Sequence, residues 1–292
     1  MQNDLVSIII PCYNASEFIL DTLQSILSQQ SANIEVVIVN DGSNDDSEEK
    51  IKSVKDNRII YFYQANSGVS AARNLGFQKS KGNYTIFFDA DDLMTDNFIY
   101  SRLTNLKNLD FICGEVKKFN SGSKQPNHNY RGTSSNLISE ILLYDQKVIT
   151  CPSNYLFKTN FLKLNHLTFN TKLSSTADRY FLLECAKYGT FDFAAACTPL
   201  LYRVSQNSMS NLLSKKLVSD NELYYYLLEE NNLIPPKIRD KSLFLGYYIL
   251  CGANNKIQNR LHSIKYGLMA FFRSPLNFMK NILSLKNSSL CF

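Results

Sequence analysis

Apolar residues follow two rhythms along this chain. In the first third, short apolar runs alternate with segments of helical spacing. Residues 5–10 (LVSIII) form a β-branched run of the kind that makes a strand buried on both faces. PCYNASEF follows, with Ser16 placed to cap a helix whose apolar face is Ile19, Leu20, Leu23, Ile26 and Leu27. IEVVIV (34–39) predicts a second buried strand, ending on Asn40-Asp41-Gly42-Ser43. The polar, acidic stretch to Val54 predicts a solvated helix, and RIIYFY (58–63) a third strand. After a turn at Gly68, SAARNLGFQKS reads as helix, and YTIFF (84–88) as a fourth strand running into Asp89-Ala90-Asp91-Asp92. A helix is expected over 95–106, capped by Asp92 or Thr95, and a further strand begins within Asp110 to Cys113. Residues 120–135 are polar and turn-rich, an expected exposed loop; residues 151–203 read as mixed structure, and the pattern is helical from about 211 onward.

Repeated strand–helix units of this length imply a parallel sheet with right-handed crossovers. Ligands of such sheets bind just beyond the carboxyl ends of the strands. PCYN, NDGS, QANSG and DADD all fall there. One polar strand end is an ordinary loop, whereas four in succession would line one crevice.

Composition narrows the class. The 292 residues are 45% hydrophobic and 20% charged, which is globular and gives no reason to expect disorder. The formal net charge of +5 is too small to argue for nucleic acid, and no nucleic-acid partner is expected. MQNDLVSIII lacks the basic start and long apolar core of a secretory signal, and no apolar stretch is long enough to span a bilayer, so a cytoplasmic location is expected. The seven cysteines form no CxxC pair and read as small apolar residues of a reducing compartment, and the three histidines are widely spaced.

Asp89-Ala90-Asp91 is the sharpest local feature. Alternate residues of an extended segment share a face, so the two carboxylates can project together. Their repulsion would be relieved by a hard divalent ion that also binds phosphate oxygens; the plainer alternative is an acidic turn before a helix. Asp41 could accept hydrogen bonds from a base or ribose, or simply make an Asp-Gly turn. Pro11 and Tyr13 could fix a loop and offer an aromatic face, or merely punctuate the chain. Arg73 could reach a diphosphate or base, or be a surface helix arginine. The first strand–helix turn has no GxGxxG, and no GK[ST] loop exists, which argues against a nicotinamide dehydrogenase and a P-loop ATPase.

Taken in order, IIIPCYNASEF, VVIVNDGSNDDS, QANSGVSAARNLG and YTIFFDADD resemble the nucleotide-binding half of family 2 glycosyltransferases, of the non-processive bacterial polysaccharide and lipopolysaccharide type. The resemblance implies an α/β GT-A fold, a Rossmann-like, mostly parallel sheet flanked by helices, with a helical C-terminal extension. It divides the chain into a transferase domain at 1–210, with a nucleotide-sugar half (1–115) and an acceptor half (116–210), and a basic helical region at 211–292. It implies a UDP-type base pocket at Pro11, Tyr13 and Asp41, and places Asn66 and Arg73 on the NxGxxxARN motif beside the nucleotide. Asp89 would contact the ribose, and Asp91 would hold Mn²⁺ or Mg²⁺ on the diphosphate. SSTADRYFLLECAKYG (174–189) resembles the acceptor-side motif, with Asp178 as the base and Phe181 as its aromatic, but Ala177 stands where the family has Glu. Asp178 could otherwise cap its helix. LYRVSQNSMSN (201–211) resembles a loop closing over the donor, with Ser205 in place of the usual His. The implied activity is metal-dependent, inverting transfer of one sugar to a glycan or lipid-linked oligosaccharide. The chain has no Trp, so it lacks the QxxRW motif of the processive synthases.

After Asp240 the sequence has no acidic residue, while Lys241, Lys256, Arg260, Lys265, Arg273, Lys280 and Lys286 are interleaved with large apolar side chains. A basic amphipathic segment broken at Pro275 suits an anionic membrane surface, or a helical cap with a solvated basic face. Two competing functions remain open at this point: a non-catalytic nucleotide-sugar-binding or scaffold protein, favoured by Ala177 and Ser205, and a sugar nucleotidyltransferase, which would want a glycine-rich basic loop where PCYNASEF stands.

Overall fold

The computed structural model describes residues 4–30, 32–120, 123–130, 136–145, 148, 150–204 and 213–284, and of 123–130 and 280–284 only the backbone. In chain order the elements are β1 (Leu5–Cys12), α1 (Ile19–Leu27), β2 (Asn33–Asp41), α2 (Ser47–Ser53), β3 (Ile59–Gln64), α3 (Val69–Lys79), β4 (Tyr84–Phe87), β5 (Leu93–Met94), α4 (Phe98–Leu106), β6 (Phe111–Cys113), β7 (Val116–Asn120) and β8 (Ser123–Tyr130). They continue as α5 (Leu137–Leu142), β9 (Tyr155–Lys158), α6 (Thr159–Leu164), α7 (Ala177–Tyr188), β10 (Phe191–Phe193), β11 (Leu200–Val204), α8 (Lys215–Glu230), α9 (Arg239–Lys256), α10 (Arg260–Arg273) and α11 (Pro275–Ser284). The chain forms two compact units, residues 1–137 with 146–208, and 138–145 with 209–292.

The first unit corrects the expected architecture. Instead of the single, mostly parallel GT-A sheet there are two sheets, a seven-stranded one in the order β10-β6-β9-β4-β1-β2-β3 and a four-stranded one in the order β5-β11-β7-β8. β9 runs antiparallel to both β4 and β6, and the smaller sheet mixes parallel and antiparallel pairs. The hydrophobic pattern missed this for a physical reason. The strands beyond residue 92 are mostly short, and in the smaller sheet β7 and β11 are each buried only at their first and fourth residues. The expected loop at 120–135 contains β8, paired antiparallel with β7 across an irregularity between Lys118 and Asn120.

The parallel strands β4-β1-β2-β3 are where the pattern placed them. Val6, Ile8, Ile10, Val36, Ile38, Ile86 and Phe88 join one buried cluster with Ile19, Leu23 and Ile26 of α1, so that face is covered; Leu20, expected there, is exposed. α3 covers the other face closely: a Cβ at Gly76 would come within 2.4 Å of the Ile9 side chain. Helix starts also shift. α1 begins at Ile19 with no side-chain cap, and α4 begins at Phe98 because the Thr95 hydroxyl donates to the Pro199 carbonyl (2.7 Å) instead of capping.

The second unit is helical. A Cβ at Gly246 of α9 would overlap the Tyr225 ring of α8, so glycine lets these helices approach closely. α10 lays Tyr266 and Ala270 against α9, with Tyr247 and Tyr266 stacked at 6.1 Å. No helix among the described residues is long and apolar enough to cross a membrane.

Candidate functional site

Because β4, β1, β2 and β3 are neighbours and parallel, their carboxyl ends lie along one edge, and the four polar motifs gather there. The loops are tied to one another. Asn14, in the left-handed region at φ 49°, donates its N–H to the Ser43 hydroxyl and accepts from Asn44 N–H (3.0 and 2.9 Å). Gly42 has φ +71°, and a Cβ there would sit 2.8 Å from the Asn66 nitrogen, so the NDGS turn needs glycine on both counts. Pro11 is buried, Tyr13 is half exposed, and Asn66 is exposed at this edge.

Asp41 is buried, and its carboxylate is engaged by the protein. It accepts from Gln64 Nε2 (2.6 Å), Ser67 N–H (2.8 Å) and Gly68 N–H (2.8 Å), and so shapes the QANSG loop. The DADD segment is different. Asp89, Asp91 and Asp92 crowd one place, and burial, with repulsion from Asp89, pushes Asp91 up to about 6. Asp92 is fully buried and held well above the usual carboxylate range by burial and by Asp91 and Asp89. It accepts the Arg203 N–H (3.1 Å) and lies 3.4 Å from the Cys151 thiol.

Arg73 joins the two halves of the site. It is buried on α3, and its two terminal nitrogens donate to Asp89 (2.6 Å) and Asp178 (2.7 Å) while the guanidinium lies 4.8 Å from the centre of the Phe169 ring. Burial works against its charge, but the two carboxylates outweigh that and hold it protonated. Asp178 therefore does not cap α7, which has no side-chain cap; it faces Arg73. Burial lifts the Asp178 carboxyl to about 6, against the opposing pull of Arg73.

The placement of Asp178 follows from packing. Phe181, one helical turn on, is fully buried, stacks on Phe169 (4.2 Å) and meets Phe87 of β4 edge-on (5.6 Å). Asn74, beside Arg73, exchanges two hydrogen bonds with the Phe169 backbone (2.8 and 2.9 Å). Sequence reasoning missed Asn74, Cys151, Ser153 and Arg203. The Ser153 hydroxyl accepts the Asp89 N–H (2.9 Å), and Arg203 donates to the Asp91 carbonyl (2.8 Å) from between the Phe18 and Phe119 rings. Asn74 was legible in the ARN triplet and Arg203 lies in the LYRVSQNSMSN segment; Cys151 and Ser153 lie 59 to 64 residues from the acids they contact and carry no local signal. Ser205 lies outside the described residues.

Asp89, Asp92 and Cys151 each present a ligand atom within 4.8 Å of the others, a cluster that could hold a metal ion. Burial first, and then mutual repulsion, raise the Asp91 and Asp92 carboxyls, and a cation placed among them would offset that repulsion, so the donor set fits one. The oxygens suit a hard divalent ion. The Cys151 thiol, which burial keeps protonated, suits one poorly.

Comparison with known proteins agrees with this geometry. A protein called "Uncharacterized glycosyltransferase" from Rickettsia bellii is 40% identical over 132 residues, 40% of this chain and 19% of that protein. Glycosyltransferase GlyA of Streptococcus pneumoniae is 39% identical over 123 residues, 40% of this chain and 18% of its own length. This chain thus matches less than a quarter of either relative. A teichoic acid poly(glycerol phosphate) polymerase of Staphylococcus epidermidis is 28% identical across 90% of this chain and 37% of its own. The crystal structure of S. aureus TarS 1-349 shares the fold with a TM-score of 0.63 at 16% identity, covering 99% of this chain and 92% of that one. The whole two-sheet chain, not one Rossmann-like sheet, has a solved counterpart. The family model "Glycosyl transferase family 2" matches residues 7–170, more than half of the 292, and the chain belongs to that family.

Proposed function

We propose that the protein transfers one sugar from a nucleotide diphosphate donor, a UDP-sugar, to a hydroxyl of a lipid-linked or cell-surface glycan, with inversion. The observation that carries this reading is the Asp89–Arg73–Asp178 bridge, which sets a carboxylate of raised pKa opposite the DADD acids at the edge where the nucleotide motifs meet. TarS structures hold UDP or UDP-GlcNAc, which supports the donor class, and the teichoic-acid relative supports a cell-surface acceptor.

In this reading residues 1–115 bind the donor, 116–210 the acceptor, and 211–292 form a basic helical region. Pro11, Tyr13, Asp41 and Asn66 line the nucleotide side, and Asp89 meets the ribose. Asp91, with Asp89 and Asp92 behind it, would hold Mn²⁺ or Mg²⁺, which when bound supplies positive charge to the diphosphate. Asp178 takes the proton from the acceptor hydroxyl. That oxygen bonds to the anomeric carbon as the opposite C–O bond breaks, and the electron pair leaves with the diphosphate. A base titrating at about 6 is mostly ionised at neutral pH yet more basic than an ordinary carboxylate. Arg73 positions Asp178 and Asp89.

Asp178→Asn tests the assignment. Transfer should fall by about 10²-fold or more, while donor binding, read as a thermal shift with Mn²⁺, stays near wild type. In the wild type, transfer should climb as pH rises through about 6. Normal turnover by the variant would remove Asp178 as the base. Ala177, fully buried where the family has Glu, favours a second reading, a non-catalytic nucleotide-sugar-binding protein. Donor hydrolysis with and without Mn²⁺ separates the two.

A further inference from the structure

Independently of the sugar-transfer reading, α10 carries two apolar faces where a helix packed on one neighbour needs only one. Tyr266 and Ala270 face α9 and are buried. On the opposite side Leu261, Ile264, Leu268 and Phe272 are 82%, 61%, 54% and 77% exposed. At 3.6 residues per turn these four fall within an arc of about 80°. Leu276 and Met279 of α11 are also more than half exposed, and Phe278 keeps α11 folded back by packing against Phe271 (5.8 Å) and Tyr248 (6.3 Å). Scattered single apolar residues on a surface need no explanation, but a contiguous stripe of this size does.

Charge selects the occupant. Arg260 and Lys265 are exposed and flank the two edges of the stripe, and no acidic residue occurs anywhere after Asp240. Packing this stripe against a second copy would set cation against cation. A surface that is apolar along one line and basic along its borders matches the interface of an anionic bilayer, the acids that reach α10, Glu222, Glu229 and Asp240, being met by His262 and Arg273 on its other side. The described helices are too short or too polar to cross a membrane, so the stripe would lie in the headgroup plane. We propose that α10 and the start of α11 form an amphipathic docking surface for anionic lipid.

The test uses the full chain with sucrose-loaded vesicles of phosphatidylcholine, with and without phosphatidylglycerol. Sedimentation with the anionic vesicles, released by high salt, is expected. Leu268→Asp and Phe272→Asp should each weaken partitioning about tenfold or more. Arg260→Glu with Lys265→Glu should remove the preference for phosphatidylglycerol. Because all four side chains are exposed, thermal unfolding of the variants should match wild type. Wild-type protein that stays in the supernatant with both vesicle types overturns the proposal, as does binding that the aspartate variants leave unchanged. A dimer in light scattering that Phe272→Asp dissociates, without vesicle binding, would assign the stripe to self-association and overturn it equally.

Discussion

Two strand ends along one sheet edge carry acids and treat them in opposite ways. At the end of β2 the Asp41 carboxylate is met by two backbone N–H groups and the Gln64 amide. Such donors stabilise the charged form where it stands, and the acid holds the neighbouring loop. Beyond β4, three acids are packed into a few residues; Arg73 serves Asp89, and burial followed by mutual repulsion raises the carboxyls of Asp91 and Asp92. The first region is complete as folded. In the second, burial and mutual repulsion both act against ionisation, and a bound cation would relieve the repulsion.

Removing the buried cation that bridges Asp89 and Asp178 should break the comparison most severely. Arg73→Met deletes the bridge and leaves Asp89 and Asp178 facing each other. Loss of one partner from a buried ion pair costs about 3–5 kcal/mol, and the partial exposure of both acids (26% and 29%) places this case at the low end. Urea unfolding at neutral pH should show a loss of about 3 kcal/mol that shrinks as pH falls through the raised Asp178 carboxyl. A loss unchanged at low pH would mean that the ring contact with Phe169, not charge, is what Arg73 provides. Asp41→Asn should cost less, about 1–2 kcal/mol, since one acceptor oxygen survives and one backbone donor is left buried. Its thermal shift with Mn²⁺ should match wild type; loss of that shift would place Asp41 in the cation site and erase the distinction.

How much of this was readable beforehand depends on where each residue's partner lies. β1 to β4 were legible because each is a short apolar run, buried in β1 and β2, mostly buried in β4 and partly exposed in β3, and the motifs at their ends followed from strand direction alone. Asp178 and Arg73 were singled out, but not as partners, since 105 residues separate them. Phe181 was taken from the acceptor-side motif, and the structure shows it as the core residue that seats α7. The four-stranded sheet was illegible for the same reason as the link from Ser153 to Asp89. β5 has only two residues, and β11 gains its identity only by pairing with β5 and β7 far away in sequence. Local periodicity reports local burial, and this sheet is built from non-local pairing. The expected cap at Ser16 failed because α1 starts three residues later and Ser16 is turned to other partners: its N–H and hydroxyl bind Asp45, and its carbonyl accepts from Lys50.

The smallest effect bears most directly on the acid cluster. Asp92 is fully buried, accepts the Arg203 N–H and lies beside the Cys151 thiol. With its folded-state pKa raised, the native protein binds a proton there more tightly than the unfolded chain does. The stability this gives is complete below the unfolded value, near 3.8, and is lost as pH rises through the folded value. Asp92→Asn replaces a carboxyl that favours its neutral form with a neutral amide of the same shape. The carbonyl oxygen can still accept from Arg203, so at pH 5 the variant should lie within about 1 kcal/mol of wild type. It does not titrate, so its relative stability should improve as pH rises from 5 to 8, and metal-free protein should show this most clearly. If Asp92→Asn were instead destabilised by several kcal/mol, and more so at higher pH, Asp92 would be an ionised partner of a resident cation. The DADD end would then be complete like that of Asp41, its charge balanced by an ion instead of by backbone N–H groups.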